Sequence, residues 1–216
     1  MKKRILCIGD SNTHGYCTDP GDCADGGSRF NEDERYTCLL QKFLGDDYFV
    51  SEEGMGGRTT VFPDPLSDHM DLLCCLDVLL ATHEPLDLVI IMLGTNDTKE
   101  RLHASTATIA RGMQRIVEAA MKADCWGGHD PNVLIVCPPP MPQEVHTGFF
   151  AEEMGAGCAD KCVHMAEEYQ KTADLLGVHF LDAAGCPFNT IDFMHLTREG
   201  HRMLARRLAD LVPTLI

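Results

Sequence analysis

The sequence lacks a long hydrophobic run. None of its apolar stretches approaches the ~20 residues that a bilayer-spanning helix needs. The first apolar stretch, Ile5 to Ile8, is also shorter than the apolar region of a signal peptide and is typical of a first β-strand. We therefore expect no membrane partner and a cytoplasmic protein.

Basic residues are scarce. The sequence has 18 lysines and arginines against 33 aspartates and glutamates, which gives a formal net charge of -15 at pH 7. A surface of this charge repels nucleic-acid phosphates and anionic lipid headgroups. We therefore expect no nucleic-acid partner, and we attribute the charge to solubility.

Motifs that bind phosphate or metal are missing as well. No G-x-x-x-x-G-K-[ST] phosphate-binding loop occurs. The closest pairs among the 11 cysteines, Cys74-Cys75 and Cys158-x-x-x-Cys162, are not joined to a second ligand pair at zinc-site spacing. An odd number of cysteines without a secretion signal is typical of reduced thiols in a cytosol. We therefore expect no bound metal.

What the sequence does contain is an alternation of strand and helix patterns. The segment Leu86–Leu93 is apolar almost throughout, which is typical of a central parallel strand covered on both faces. The other predicted strands are Arg4–Ile8, Tyr48–Ser51, Asn132–Cys137 and Val178–Leu181. The predicted helices are Thr37–Phe43, Asp68–Thr82, Thr106–Lys122, Asp160–Leu176 and Thr197–Leu211. Two segments between them, Cys17–Glu34 and Pro138–Gly157, are predicted to be long loops.

This order of elements predicts the fold class. A chain of 216 residues suits one α/β domain, spanning residues 1–216. Alternating strands and helices favour an open, doubly wound parallel sheet with helices on both faces, which is a three-layer α/β/α arrangement. We predict that the strands follow the flavodoxin-like order.

Polar and glycine-rich segments lie at the predicted strand ends and before the last helix. Ligands of open α/β sheets bind at the carboxyl ends of the strands, so these segments are expected to meet at one edge. They are GDSNTHG with Ser11, GMGGRTT with Gly57, GTND with Asn96, and DFMH with Asp192 and His195.

The residue types in these segments suit nucleophilic catalysis. Ser11 follows a glycine on a tight turn, and a serine hydroxyl needs a base within hydrogen-bond reach to act as a nucleophile. His195 is a candidate base because the unperturbed pKa of histidine lies near neutrality, and Asp192 could orient its imidazole. The backbone N–H groups of Ser11 and Gly57 and the amide of Asn96 could stabilise an oxyanion.

Each segment has an ordinary structural interpretation when it is taken alone. A Gly-Asp-Ser sequence is common in turns, and aspartate is a frequent helix N-cap. The occurrence of all four segments in this order at strand ends favours a hydrolase site. Outside them, we expect His201 to lie on the surface and Arg58 to act as structural support, for which it could pair with Asp10 or with an acidic residue of a loop.

The four segments resemble the sequence blocks of the SGNH (GDSL-like) hydrolase superfamily, which supply Ser, Gly, Asn and His. The matching residues here are Ser11, Gly57, Asn96 and His195, and Asn12 stands where the first block usually has leucine. The stretches EEGMGGRTT, LATHEPLDLVIIMLGTNDTK and CPPP further resemble the arylesterase/acyltransferase subgroup.

This resemblance implies a serine-dependent carboxylic ester hydrolase that acts on small acyl esters through an acyl-enzyme, with no metal and no cofactor. Some relatives also transfer acyl groups to alcohols. Two alternatives remain: a carbohydrate acetylesterase of the same superfamily, and a non-catalytic flavodoxin-like binding or signalling module. Asp10 faintly resembles the acidic cluster of receiver domains, but no second acid stands beside it.

The segment Pro138–Gly157 also predicts assembly. It carries Phe149 and Phe150 together, and a monomer that exposed such an apolar loop would be unusual. Met141, Val145 and Met154 add to its apolar character. We therefore expect a homo-oligomer whose contacts narrow the site to small acyl groups. The alternative is that these side chains fold back as a lid over their own site.

Overall fold

Five parallel strands form one sheet in the computed structural model, which describes residues 2–216. The strand order is β2-β1-β3-β4-β5, so the predicted flavodoxin-like order is confirmed. The strands are β1 (Lys3–Gly9), β2 (Tyr48–Gly54), β3 (Leu88–Met92), β4 (Val133–Cys137) and β5 (His179–Asp182).

The central strand is β3, and all five of its residues are buried, as are those of β4. Strands covered on both faces need apolar side chains at every position, which is why these two read as continuous apolar runs. The edge strands β2 and β5 have no fully buried residue. The hydrophobic pattern therefore sets the position of each strand in the sheet.

Helices cover both faces of the sheet and complete the predicted three-layer arrangement. Helices α2 and α8 pack with Ile5, Ile90 and Leu134 on one face. Helices α3, α4 and α7 pack with Leu6, Ile91 and Ile135 on the other face. The helices are α1 (Ser11–His14), α2 (Tyr36–Leu44), α3 (Leu76–His83), α4 (Thr106–Lys122), α5 (Ala151–Met154), α6 (Cys158–Val163), α7 (Met165–Leu176) and α8 (Arg198–Leu211).

Two predicted helices differ from the structure. The segment Asp68–Thr82 is not one helix: a 3-10 turn at Leu72–Cys74, capped by the Asp71 carboxylate, precedes α3. The segment Asp160–Leu176 is divided into α6 and α7. Thr106 donates a hydrogen bond of 3.0 Å to the carbonyl of Lys161, which competes with the helical bond that would continue α6 into α7.

The two predicted loops also have different outcomes. Cys17–Glu34 is a loop, whereas Pro138–Gly157 contains a 3-10 turn at Gln143–Thr147 and the short helix α5. Both segments leave the carboxyl edge of the sheet. Among residues 2–216, no helix is both long and apolar enough to cross a membrane.

Candidate active site

Ser11 is the first residue of α1 and lies two residues after the end of β1. The Asp10 carboxylate caps this turn by accepting a hydrogen bond of 2.9 Å from the backbone N–H of Asn12. A Cβ at Gly9 would lie 2.0 Å from the Thr13 hydroxyl, so the tight turn that presents Ser11 requires glycine.

His195 and Asp192 lie beside Ser11 although they come from the other end of the chain. The distance from Ser11 Oγ to His195 Nε2 is 2.8 Å, and that from His195 Nδ1 to Asp192 Oδ2 is 2.7 Å. The turn between them is sharp, because Phe193 has a left-handed φ of 60°. The three side chains form a continuous hydrogen-bonded path.

The Asp192 carboxylate is fully buried and accepts several hydrogen bonds. Its Oδ1 accepts from the backbone N–H groups of Met194 and His195, at 2.9 and 3.0 Å, and from Asn189 Nδ2 at 2.9 Å. Its Oδ2 accepts from His195 and from the Thr18 hydroxyl. Burial alone would raise the pKa of Asp192, but these bonds and the charge of His195 outweigh it and hold the pKa at about 2. The carboxylate is therefore ionised at neutral pH.

Gly57 and Asn96 line the same pocket as Ser11 and His195. Gly57 has a left-handed φ of 83°, and its N–H forms no hydrogen bond with any of residues 2–216. Asn96 Nδ2 donates to the carbonyl of Arg58 at 3.2 Å, and Asp97 accepts from the backbone N–H of Thr60 at 2.9 Å. These two bonds tie the loop after β3 to the loop after β2, so the two candidate oxyanion donors are held together.

A pocket of about 360 Å³ opens over Ser11 and His195 and is also lined by Gly57 and Asn96. Aromatic rings flank the imidazole on this side: the ring centroids of Tyr16 and Phe150 lie 4.7 and 5.7 Å from that of His195. Met154 and Met194 add apolar surface.

One part of the pocket is polar. Lys99, which is 5% exposed, places its Nζ 3.0 Å from Glu153 and 3.2 Å from Asp64. Arg101 pairs with the same two carboxylates. The network holds α5 against the loop after β3 and gives one pocket wall both a donor and an acceptor. Hydrogen bonds and ion pairs with Arg101 and Lys99 outweigh burial and keep the pKa of Glu153 low.

The sequence profile of the GDSL-like Lipase/Acylhydrolase family matches residues 7–203. The chain belongs to this family. Its fold is similar to that of an inhibitor-bound M. smegmatis aryl esterase, with a TM-score of 0.87 and 37% identity over 99% of this chain and 100% of that one. It is also similar to a carbohydrate acetylesterase family member from Sinorhizobium meliloti, with a TM-score of 0.88 and 35% identity over 99% and 98% of the two chains. No curated protein sequence matches.

The prediction of an SGNH-type carboxylic ester hydrolase is thereby confirmed, and the alternative of a non-catalytic module is set aside. In this esterase the five residues singled out from the sequence, Ser11, Gly57, Asn96, Asp192 and His195, come together at the carboxyl edge of the sheet. All but Asp192 line the pocket.

Three other expectations about the esterase are wrong. His201 is fully buried rather than on the surface, between Phe30 and Tyr36, and burial lowers its pKa to about 3. Arg58 is structural support as expected, but the suggested ion pair is wrong: within residues 2–216 its guanidinium pairs with no carboxylate. It donates instead to the carbonyls of Gly9, at 3.1 Å, and Glu53, and so joins the ends of β1 and β2.

The third concerns the apolar loop. Of its side chains, Met141, Val145 and Met154 are buried, Phe150 is half-buried in the pocket and Phe149 is 71% exposed. The fold of Gln143–Thr147 and α5 turns most of these groups inward. The expected broad apolar exposure is therefore absent from this segment, and two of its side chains, Phe150 and Met154, line the esterase's own pocket.

Several pocket and triad contacts come from residues that sequence analysis missed. Thr18 contacts Asp192, and Tyr16 and Lys99 line the pocket. None of them has a local spacing signal. The only hint for Thr18 and Tyr16 was their place in or beside a long glycine-rich loop that leaves a strand end.

Proposed function

We propose that the esterase uses Ser11 as nucleophile, His195 as general base and acid, and Asp192 to orient the imidazole. The observation that carries this proposal is the hydrogen-bonded path from Asp192 through His195 to Ser11, with distances of 2.7 and 2.8 Å, which ends at the floor of the pocket. The ionised Asp192 favours the tautomer whose Nδ1–H points to it, which leaves Nε2 free to accept a proton.

The reaction then takes two acyl-transfer steps. The Ser11 oxygen attacks the ester carbonyl while His195 Nε2 accepts the hydroxyl proton. The tetrahedral oxyanion is stabilised by the N–H groups of Ser11 and Gly57 and by the Asn96 amide. Collapse breaks the bond to the alcohol, which leaves with the proton from His195. Water attacks the acyl-Ser11 ester with His195 again as base, and the acid product and free Ser11 are released.

We propose small acyl groups, of acetyl size, for the substrate. The support is that Tyr16, Phe150 and Met154 crowd the space beside His195, in a pocket of about 360 Å³ that must hold both parts of the ester. A series of p-nitrophenyl esters of increasing acyl length, with Ser11→Ala as the blank, tests this. Higher kcat/KM for acetate than for octanoate is expected, and the reverse order would contradict it.

A carbohydrate acetylesterase remains the second candidate. One observation favours it: Lys99 and Glu153 give the pocket wall a donor and an acceptor that could bind hydroxyl groups of a sugar. Sugar acetates and acetylated xylan compared with aryl acetates distinguish the two. If the sugar esters give the higher kcat/KM, the aryl ester is a surrogate substrate.

Acyl transfer is proposed as a further activity. The apolar groups Tyr16, Phe150 and Met194 above Ser11 would favour an alcohol over water as attacking group on the acyl-enzyme. Turnover of p-nitrophenyl acetate with added benzyl alcohol should yield benzyl acetate beside acetate. Acetate as the sole acyl product would contradict this part of the proposal.

We further propose a single domain over residues 1–216, a cytoplasmic location and a homo-oligomer. One sheet flanked by two helix layers supports the single domain, and the eleven free thiols support the cytoplasmic location.

The homo-oligomer is supported by a groove that borders the pocket at Met154. Phe149 and Leu66 line this groove and are 71% and 72% exposed. Light scattering should give a mass above 23.8 kDa. Replacing Phe149 and Phe150 by serine should give smaller particles and relaxed acyl selectivity, and a monomeric wild type would contradict the idea.

A further inference from the structure

Asn12, the residue directly after Ser11, contacts the segment that carries His195. It is 2% exposed. Its Nδ2 donates a hydrogen bond of 3.1 Å to the carbonyl of Met194, and its Oδ1 accepts one of 2.8 Å from the backbone N–H of Leu196. One amide therefore holds the two residues that flank His195 in the chain.

The two hydrogen bonds of Asn12 join segments that are distant in the chain, unlike the hydrogen bonds to the backbone of His195 itself. Asp192 and Asn189 bond to the backbone N–H and carbonyl of His195 from within the same turn, so they set the shape of that turn. The two bonds of Asn12 cross from a turn that is more than 180 residues away in the chain. They connect the turn that carries His195 to the turn that carries Ser11.

The two hydrogen bonds require a side chain at position 12 that can both donate and accept, as an amide does. The first sequence block of this superfamily usually has leucine there, and a leucine could neither donate to Met194 nor accept from Leu196. Leaving a buried backbone donor or acceptor without a partner costs about 1–3 kcal/mol. The amide of Asn12 avoids this cost, because it provides one partner for the Met194 carbonyl and one for the Leu196 N–H. A proton transfer between Ser11 and His195 also needs a heavy-atom distance of about 2.6–3.2 Å.

We propose that Asn12 is a positioning residue for acyl transfer: by holding Met194 and Leu196, its side-chain amide sets the distance between Ser11 Oγ and His195 Nε2. This inference rests on the proposed roles of Ser11 and His195. A misplacement of about 1 Å in such a pair reduces turnover by about 100-fold, while the binding of substrate in the pocket is left intact.

The test is Asn12→Leu, with Asn132→Leu as the matched control. Asn132 also donates to a backbone carbonyl, that of Leu215 at 3.1 Å, but it precedes β4 at the opposite end of the sheet. Both variants should lower Tm. Only Asn12→Leu should lower kcat for p-nitrophenyl acetate, by about 10- to 100-fold, with KM changed by less than about twofold.

A wild-type kcat in Asn12→Leu, with a loss of Tm like that of the control, would overturn the inference, as would a raised KM alone. If Asn12→Leu does not fold, Asn12→Asp serves, because it keeps the acceptor for Leu196 but, when ionised, cannot donate to Met194. Compared at the pH of maximal activity of each protein, kcat of Asn12→Asp should be about tenfold below that of wild type, and an unchanged kcat would refute the role. Ser11→Ala is measured in parallel. Activity retained there would refute the proposed function instead.

Discussion

Removal of the Asn96 amide gives the sharpest test of the oxyanion site. The amide has two hydrogens, and the bond of 3.2 Å to the Arg58 carbonyl engages one of them. The second is available to the pocket that Asn96 lines. Asp97, bonded to Thr60, fixes the same 3-10 turn, so the amide is held in place before substrate binds. Asn96→Ala deletes this donor and leaves the N–H groups of Ser11 and Gly57.

The expected effect follows from when the donor acts. An oxyanion exists in the transition state and not in the bound ester, so losing one donor should lower kcat and leave KM nearly unchanged. Removal of a single oxyanion donor typically lowers kcat by about 10²- to 10³-fold, equivalent to about 3–4 kcal/mol. Two donors remain, so activity above the Ser11→Ala background is still expected.

Initial rates with p-nitrophenyl acetate measure both constants. The control is Thr98→Val, which lies in the same turn and loses a buried hydrogen bond of 2.6 Å to the Thr95 carbonyl without lining the pocket. It should destabilise the turn and leave kcat within about threefold of wild type. An unchanged kcat with a raised KM in Asn96→Ala would make Asn96 a substrate-binding residue and refute its role as an oxyanion donor.

Three further outcomes are expected. Thr18→Val removes a hydroxyl that donates to Asp192 and should lower kcat/KM about tenfold. Thr18→Ser keeps a hydroxyl and should have a kcat/KM close to that of wild type; equal activities of the two variants would show that the hydroxyl does not contribute to catalysis. Asp192→Asn should lower kcat/KM less than His195→Ala, because backbone or water can still hold the imidazole, and the opposite order would show that the two roles are wrongly assigned. His201, with a pKa of about 3 in the fold against about 6.5 unfolded, contributes stability that is present above pH 6.5 and is lost progressively as the pH falls from there toward about 3. Urea unfolding should therefore show wild type losing about 2 kcal/mol between pH 7 and 5 that His201→Leu keeps; parallel pH dependences would contradict this.

Local patterns in the sequence predicted the sheet and the set of candidate residues. Strands such as β3 and β4 are apolar at every position. Ser11 and Asn96 lie two and four residues after the ends of β1 and β3, so their place at one edge follows from topology. Gly57 lies three residues after β2 for the same reason. The strands and the residues at their ends depend on neighbouring residues in the chain, so a local sequence pattern can predict them.

Other features depend on contacts between distant segments. The division of α6 from α7 depends on Thr106 of another helix, and the support of the triad depends on Asn12 and Thr18, which lie more than 170 residues from their partners. The apolar side chains of Pro138–Gly157 could cover their own site or a second subunit. Composition does not distinguish these outcomes, because both bury the same groups.

In the proposed reaction, Ser11 becomes acylated and His195 activates it. Reaction with a fluorophosphonate probe, followed by peptide mass spectrometry, tests this directly. We expect labelling of Ser11 in proportion to the loss of activity, slower labelling in His195→Ala, and a loss of about 10⁴-fold or more in the kcat of Ser11→Ala. Labelling of a different serine, or full activity in Ser11→Ala, would contradict it.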